Sequence, residues 1–360
     1  MLIILLKYLK NYFKYLNYFL IDFKIRSMMT LITSFSITFY LIPIFIHYFN
    51  KNKISQIIRK DGPITHFTKK KTPTMGGIII LLSIFISVII WSDLSNKYIL
   101  YILFITFLYF IIGFIDDFYK IILKNSIGLT AYKKIFLQSI ANIFFILSII
   151  IDYKKKLYIQ FIIPFTHHII IYNINIILYI LLCYFIILIM SNAVNLTDGL
   201  DGLAIMPIIF IALGLIFLSY LTGNIYFSKY FNFIYVENST ELIIICLSII
   251  GSGLAFLWYN AYPAKIFMGD VGSLPLGCLV SVIAILIKQE FLFLIMCIIF
   301  IVEFISVIIQ IIKFKYNKKR FFLMAPLHHH YELKGISESC IIIRFWIISL
   351  ILIFFTFIII

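Results

Sequence analysis

The chain has 360 residues, 63% of them hydrophobic and 12% charged, with a mean hydropathy of +1.09. That much apolar sequence excludes a water-soluble globular protein and leaves the membrane-embedded classes. The formal charge of +15 comes mainly from Lys in a chain that also makes heavy use of Ile, Phe, Asn and Tyr, so it reads as compositional background and no nucleic-acid partner is expected.

Residues 1–26 come first. Lys7, Lys10 and Lys14 share one helical face with Leu, Tyr and Phe around the rest, which predicts a helix lying in the membrane interface; a frayed basic tail is the competing reading. No small-residue cleavage site follows, so the segment does not read as a signal peptide. Ten apolar runs of spanning length then follow, at 28–48, 75–92, 98–115, 135–151, 169–190, 203–221, 241–259, 273–289, 291–312 and 340–360. They predict an all-α polytopic integral membrane protein of about ten transmembrane helices. No composition break interrupts them, so 1–360 is read as one domain. Cys183, Cys246, Cys278, Cys297 and Cys340 are scattered without paired spacing and read as small buried hydrophobes rather than a disulfide or zinc framework.

With ten spans, the loops 49–74, 116–134, 191–202, 260–272 and 313–339 fall on one side. With the adjoining Arg344 they carry 19 of the 30 Lys and Arg residues, which predicts that this side is cytoplasmic. The N-terminal tail and Lys154-Lys155-Lys156 run against the trend. The polar islands of the chain, however, all fall in the same loops, and a single cytoplasmic site built from five loops is the simplest account.

The first island is Asp61-Gly62-Pro63 and His66 leading to Lys69-Lys70-Lys71-Thr72-Pro73-Thr74-Met75-Gly76-Gly77, where lysine, hydroxyls and a Gly pair at a helix start suit phosphate. In the second, Gly113-Phe114-Ile115-Asp116-Asp117, neighbouring helical residues diverge by about 100°, so the two carboxylates are expected to face apart. Lys120 and Lys124 extend the Asp116 face at i+4 steps. Hard cations prefer carboxylate oxygens, so a Mg²⁺ site beside a phosphate clamp is the functional reading and a solvated helix end the bland one. The third island repeats polar side chains at Asn192, Asn195, Asp198 and Asp201, with Gly199 and Gly202 breaking the helix; a connecting loop with Asx turns is the alternative. In the fourth, Asp270 precedes Ser273, a candidate helix cap, and Pro275. The fifth holds His328, His329 and His330, which point in different directions in any regular structure; hydrogen bonding to phosphate or sugar suits them better than one metal centre. Two local motifs fail. Asp116-Asp117-Phe118-Tyr119-Lys120 lacks the third Asp of a DDxxD diphosphate motif, and Phe267 stands where a GxGD protease needs Gly.

Together these segments resemble the bacterial phospho-N-acetylmuramoyl-pentapeptide transferases over nearly the whole chain. The carriers are Thr72–Gly77, Gly113–Asp117, Asn192–Gly202, Phe267–Ser273 and Ala325–Gly335. One departure is Lys71, where the family usually has Gly. The resemblance implies a ten-helix enzyme of the bacterial inner membrane with both termini periplasmic and a cytoplasmic active site. It implies transfer of phospho-MurNAc-pentapeptide from UDP-MurNAc-pentapeptide to undecaprenyl phosphate, with Mg²⁺ as cofactor and a homodimer left open. Asp116, Asp117 and Asp270 would be catalytic, with Asp270 and Asp117 on the metal. Lys69, Thr74, Asn192, Asn195, Asp198, Gly199, Leu200, Asp201, Asn260, Phe267, His328, His329 and His330 would bind substrate, and Lys120, Lys124 and Lys134 would clamp phosphate or lipid. A GlcNAc-1-phosphate transferase of the same superfamily is the nearest alternative. An ion-coupled transporter is the alternative from another class.

Overall fold

A computed structural model describes residues 22–52, 72–123, 128–152, 158–163 and 170–360. Lys69, Lys124, the Lys7-Lys10-Lys14 stripe, Asp61, His66 and Lys154–Lys156 lie outside the described residues. In chain order the long helices are α1 (Phe23–Lys51), α2 (Gly77–Trp91), α3 (Lys97–Leu123) and α4 (Ala131–Asp152). An antiparallel hairpin follows, β1 (Tyr158–Ile163) on β2 (Ile170–Asn175), in a register pairing Tyr158 with Asn175 and Ile163 with Ile170. The rest is helical: α5 (Ile176–Thr197), α6 (Ile205–Gly223), α7 (Ile225–Tyr230), α8 (Leu242–Asn260), α9 (Asp270–Leu286), α10 (Glu290–Met296), α11 (Ile298–Asn317), α12 (Leu327–Leu333) and α13 (Glu338–Ile359).

The predicted all-α polytopic class holds, with the hairpin as an addition. Isoleucine and phenylalanine dominate these helices despite middling helix propensity, because in lipid only intrasegment hydrogen bonding satisfies the backbone. Among the described residues, seven helices are long and apolar enough to cross a membrane. The pair α10 and α11 makes an eighth if counted as one span bent by 75°, and α2 and α9 are shorter apolar helices. Each of the ten expected windows overlaps helix among the described residues, with three differences, the first being the break of 291–312 at Cys297. The window expected to open at 169 begins as a strand, and α5 starts only at Ile176, where the Asn175 side chain accepts from the Ile177 N–H at 2.9 Å and caps it. The run 98–115 continues through both aspartates to Leu123.

The core lies where α8 packs on α1 and α6, and where α9 packs on α3 and α5. Nearly every residue of α9 is buried. Large apolar side chains such as Phe104, Phe107, Ile343 and Phe354 stay exposed on the outside of the bundle, the surface expected to face lipid. Buried hydroxyls bond back within their own helix, as Ser83 does to Ile80 O (2.7 Å) and Ser248 to Ile245 O (2.6 Å).

The end of the bundle away from the aspartates is pinned by charge. Arg26, in the first turn of α1, donates to both carboxylate oxygens of Glu241 (2.6 and 3.2 Å) and to Trp91 O (3.0 Å). Glu241 also accepts from the Asp93 N–H at 2.7 Å. Residues 23–26 therefore belong to α1 and not to a separate interfacial helix. Removing one partner of a buried pair typically costs about 3–5 kcal/mol. Glu241→Ala and Glu241→Gln should accordingly both lower the thermal unfolding midpoint in detergent below wild type, Ala by more because Gln can still accept from Arg26; midpoints equal to wild type would show that the charge pair does not hold α1 in place.

Candidate active site

Two short approaches of backbone to backbone bring the acidic residues together. On α3, Gly113 lies against the carbonyl of Asp270, and on α2, Gly77 lies against Cα of Gly272; a Cβ at either position would overlap those atoms. Between them the segment before α2 is bound to the segment before α9. Phe267 N–H donates to Pro73 O (2.8 Å), Gly76 N–H to Phe267 O (2.8 Å) and Gly77 N–H to Met268 O (2.9 Å). Gly269 then turns the chain into α9 at φ +75°, and a side chain there would run into Asp117 Oδ2. Threonine 74 is buried in this seam.

The result is a cluster in which one oxygen from each of Asp116, Asp117 and Asp270 lies within 4.8 Å of the others. Lys120 Nζ sits among all three, at 2.6 Å from Asp116, 3.1 Å from Asp117 and 3.0 Å from Asp270. Lys134, from the start of α4, reaches Asp270 at 2.5 Å and Asp116 at 3.6 Å. Backbone amides add two further bonds: Leu129 N–H bonds Asp116 Oδ1 (2.9 Å) and Val271 N–H bonds Asp117 Oδ2 (3.0 Å). The expectation that Asp116 and Asp117 face apart is corrected. Lys120 stands at i+4 from one and i+3 from the other, and α9 begins between their two directions, so rotation about the side-chain bonds closes the gap. Ser273 is corrected too. The helix begins at Asp270 with Gly269 at its cap position, and Ser273 Oγ instead donates to Gly269 O (3.1 Å).

Three converging carboxylates, two of them deeply buried, are a donor set that fits a hard divalent cation. They already gather two ammonium groups, Lys120 and Lys134.

The 192–202 island wraps this cluster. Asn192 and Asn195 are on α5, as expected: Asn192 Nδ2 donates to Gln138 Oε1 (2.9 Å), and Asn195 Nδ2 donates to Ser273 Oγ (2.8 Å), tying α5 to α9. Asp198 follows the last residue of α5. Burial first, then the carboxylates of Asp270, Asp117 and Asp201, push the Asp198 carboxyl up to about 8, with the Gly269 N–H opposing. Leu200 and Asp201 are buried; Asp201 Oδ2 accepts from Ala264 N–H (2.9 Å), and its own N–H donates to Glu338 (3.2 Å). Asn260, also buried, bridges two loops by accepting from Gly202 N–H (3.0 Å) and donating to Ile266 O (2.8 Å). Phe267 is half-buried beside it.

The three histidines diverge as the sequence requires. His328 is fully buried against Gly199 and Glu303. His329 Nδ1 pairs with Glu332 at 2.8 Å. His330 Nδ1 accepts from the Leu323 N–H at 3.1 Å; burial and the Lys334 charge lower its pKa, in keeping with that acceptor role. Asp201, Asn260 and the His328 backbone hydrogen-bond to neighbouring segments, while Asp116, Asp117, Asp270, Lys120 and Lys134 form the charged centre, with Asp198 close enough to feel its carboxylates. Gln138, Glu303 and Glu338 were not singled out, although Glu303 was visible as the lone carboxylate inside the apolar run 291–312.

The raised Asp198 carboxyl has a stability consequence. Between its ordinary value of 3.8 and about 8 the folded protein holds a proton that the unfolded chain releases, so stability falls as pH rises through that window. Asp198→Asn removes the penalty. Its unfolding midpoint in metal-free buffer should match wild type near pH 4 and exceed it increasingly towards pH 8; a constant difference across that range would place the titration elsewhere.

The geometry is that of a membrane enzyme handling phosphate, and the comparisons agree. Residues 99–288 match the family model of glycosyl transferase family 4, and residues 69–81 match phospho-N-acetylmuramoyl-pentapeptide-transferase signature 1. A phospho-N-acetylmuramoyl-pentapeptide-transferase of Buchnera aphidicola subsp. Acyrthosiphon pisum (strain 5A) is 54% identical over 358 residues, 98% of this chain and 97% of the relative. Another, from Buchnera aphidicola subsp. Baizongia pistaciae (strain Bp), is 52% identical over 331 residues, 91% of this chain and 96% of the relative. The chain belongs to the phospho-N-acetylmuramoyl-pentapeptide transferase family.

Proposed function

We propose that the protein transfers phospho-MurNAc-pentapeptide from UDP-MurNAc-pentapeptide to undecaprenyl phosphate, releasing UMP and forming lipid I. The observation that carries this reading is the convergence of Asp116, Asp117 and Asp270 with Lys120 and Lys134 at one end of an apolar bundle. A lipid phosphate held at the membrane and a soluble nucleotide-sugar are both anionic, and joining them requires positive charge at the point of contact. Asp117 and Asp270, with Asp116 beside them, would hold Mg²⁺, which when bound supplies charge neutralisation at the diphosphate.

The chain's own groups do the rest. The lipid phosphate oxygen attacks the β-phosphorus in line, forming the new P–O–P link as the bond to the bridging oxygen breaks and UMP leaves. Lys120 and Lys134 offset the charge that collects there. A phosphate monoester has its second pKa near ~6 and is largely dianionic at neutral pH, so it needs little help from a base. Both Asp116 oxygens are engaged, one by the Leu129 N–H and the other by Lys120. That arrangement favours direct displacement over an aspartyl-phosphate intermediate, with Asp116 positioning the acceptor or taking a residual proton.

The five connecting segments that build the site carry most of the Lys and Arg. This supports a cytoplasmic site in a bacterial inner membrane with both termini on the periplasmic side. Against a transporter stands the position of the carboxylates, Asp270 opening α9 and Asp116 and Asp117 in the last two turns of α3, not midway along the spans.

The test is UMP release by purified protein from UDP-MurNAc-pentapeptide, with undecaprenyl phosphate and Mg²⁺ each present or absent. Release should require both, and Asp270→Asn should cut it by about 10²–10³-fold, the scale of losing one group that stabilises transition-state charge. UDP-GlcNAc used in place of the pentapeptide substrate would move the protein to the sister branch of the superfamily, and turnover of neither would leave the transporter.

A further inference from the structure

Glu303 sits inside α11 with no exposed surface, and His328, in the first turn of α12, has none either. Carboxylates within a membrane helix are costly and as a rule mark function. Nothing in the mechanism above uses this one. Its Oε1 accepts from the His328 backbone N–H at 3.2 Å, and its Oε2 lies 3.3 Å from His328 Nδ1, two buried polar atoms that face each other and have no other hydrogen-bond partner among the described residues. The far edge of the same ring presses Nε2 onto Gly199, where a Cβ would overlap it. Gly199 stands between Asp198, coupled electrostatically to Asp270 and Asp117, and Asp201, which bonds the 260–269 segment.

We propose that Glu303 is a positioning residue for the nucleotide-sugar half of the site. It fixes the His328 imidazole, and the imidazole in turn fixes the Asp198–Asp201 turn. The inference rests on the transferase reading only in taking that turn as the nucleotide's seat. Its logic is that of a carboxylate behind a working histidine: the pairing to Nδ1 selects the ring orientation and the nitrogen left to face outward. An apolar residue of the same size would fill the space with less desolvation, but it could hold neither the ring nor the first turn of α12.

The discriminating variant is Glu303→Gln, which keeps the shape. Its single carbonyl can still accept from the His328 N–H, while its amide must donate to Nδ1 and so reverses the tautomer. The readouts are the dissociation constant of UDP, by calorimetry on full-length protein in detergent, and the KM for undecaprenyl phosphate. The expected result is UDP binding weakened by about tenfold, the scale of losing an outer partner of a site group, with the lipid KM unchanged. A general structural loss would move both. UDP affinity equal to wild type, or the two readouts changing together, would overturn the proposal. Should Glu303→Gln fail to fold, Glu303→Leu fills the same space with no acceptor for the ring or for the His328 N–H: weakened UDP binding with the lipid KM unchanged supports the proposal, and unchanged UDP binding overturns it. A wild-type protein that does not bind UDP at all would instead bring down the functional reading beneath it.

Discussion

Everything at the catalytic end depends on α2 and α3 touching α9 through backbone alone. Gly77 against Gly272, and Gly113 against the Asp270 carbonyl, leave no room for a methyl group between the helices. In a bilayer there is little hydrophobic force between helices, so close approach of small residues is a main source of contact energy. Here that approach also sets chemistry, because Asp116 and Asp117 lie one turn beyond Gly113 and Asp270 starts the opposing helix. Any side chain at the contact would hold the helices apart and open the carboxylate cluster by a similar amount. Packing and electrostatics are therefore one constraint in this protein, fixed at the same few residues.

The charged centre and its surroundings are built in different ways. The centre is ionic, with three carboxylates and two lysines in mutual reach. Around it the loops are held mainly by neutral groups: the Asn195 amide on Ser273, the Asn260 amide between two loops, and backbone pairing of 73–77 with 267–268. Neutral hydrogen bonds keep their strength as salt and substrate charge vary, whereas ion pairs are screened or exchanged. A frame of amides around an ionic centre lets charge move at the centre without loosening what surrounds it.

Much of this was legible in the sequence because a membrane makes sequence unusually literal. Apolar runs must be helices, and carboxylates beside them need a reason. The Asp116–Asp117, Asp198–Asp201 and Asp270 islands were readable for that cause, and the resemblance linked them. What could not be read was three-dimensional. Lys134 lies far along the chain from Asp270, and its membership in the clamp followed from the resemblance and not from any local pattern. The convergence of Asp116 and Asp117 defied the helical period because a third element, α9, supplies the target. The hairpin 158–175 was hidden in an Ile-rich stretch that continues into α5, where composition is the same on both sides of the Asn175 cap. The bend at Cys297 passed unseen because Cys297 N–H still reaches Phe293 O and Ile301 N–H reaches Cys297 O, both at 3.0 Å, leaving no polar signature.

Asn260 carries a liability of chemical ageing. Its amide is used at both ends, the oxygen taking the Gly202 N–H and the nitrogen giving to the Ile266 carbonyl. Spontaneous deamidation would leave a carboxylate, which can still accept but can no longer donate. Two oxygens would then oppose each other across the loop that leads to Asp270, in a buried place where a new charge has no water to meet it. Burial itself slows that hydrolysis by withholding water and backbone freedom, so the enclosure that makes the damage severe is also what makes it slow.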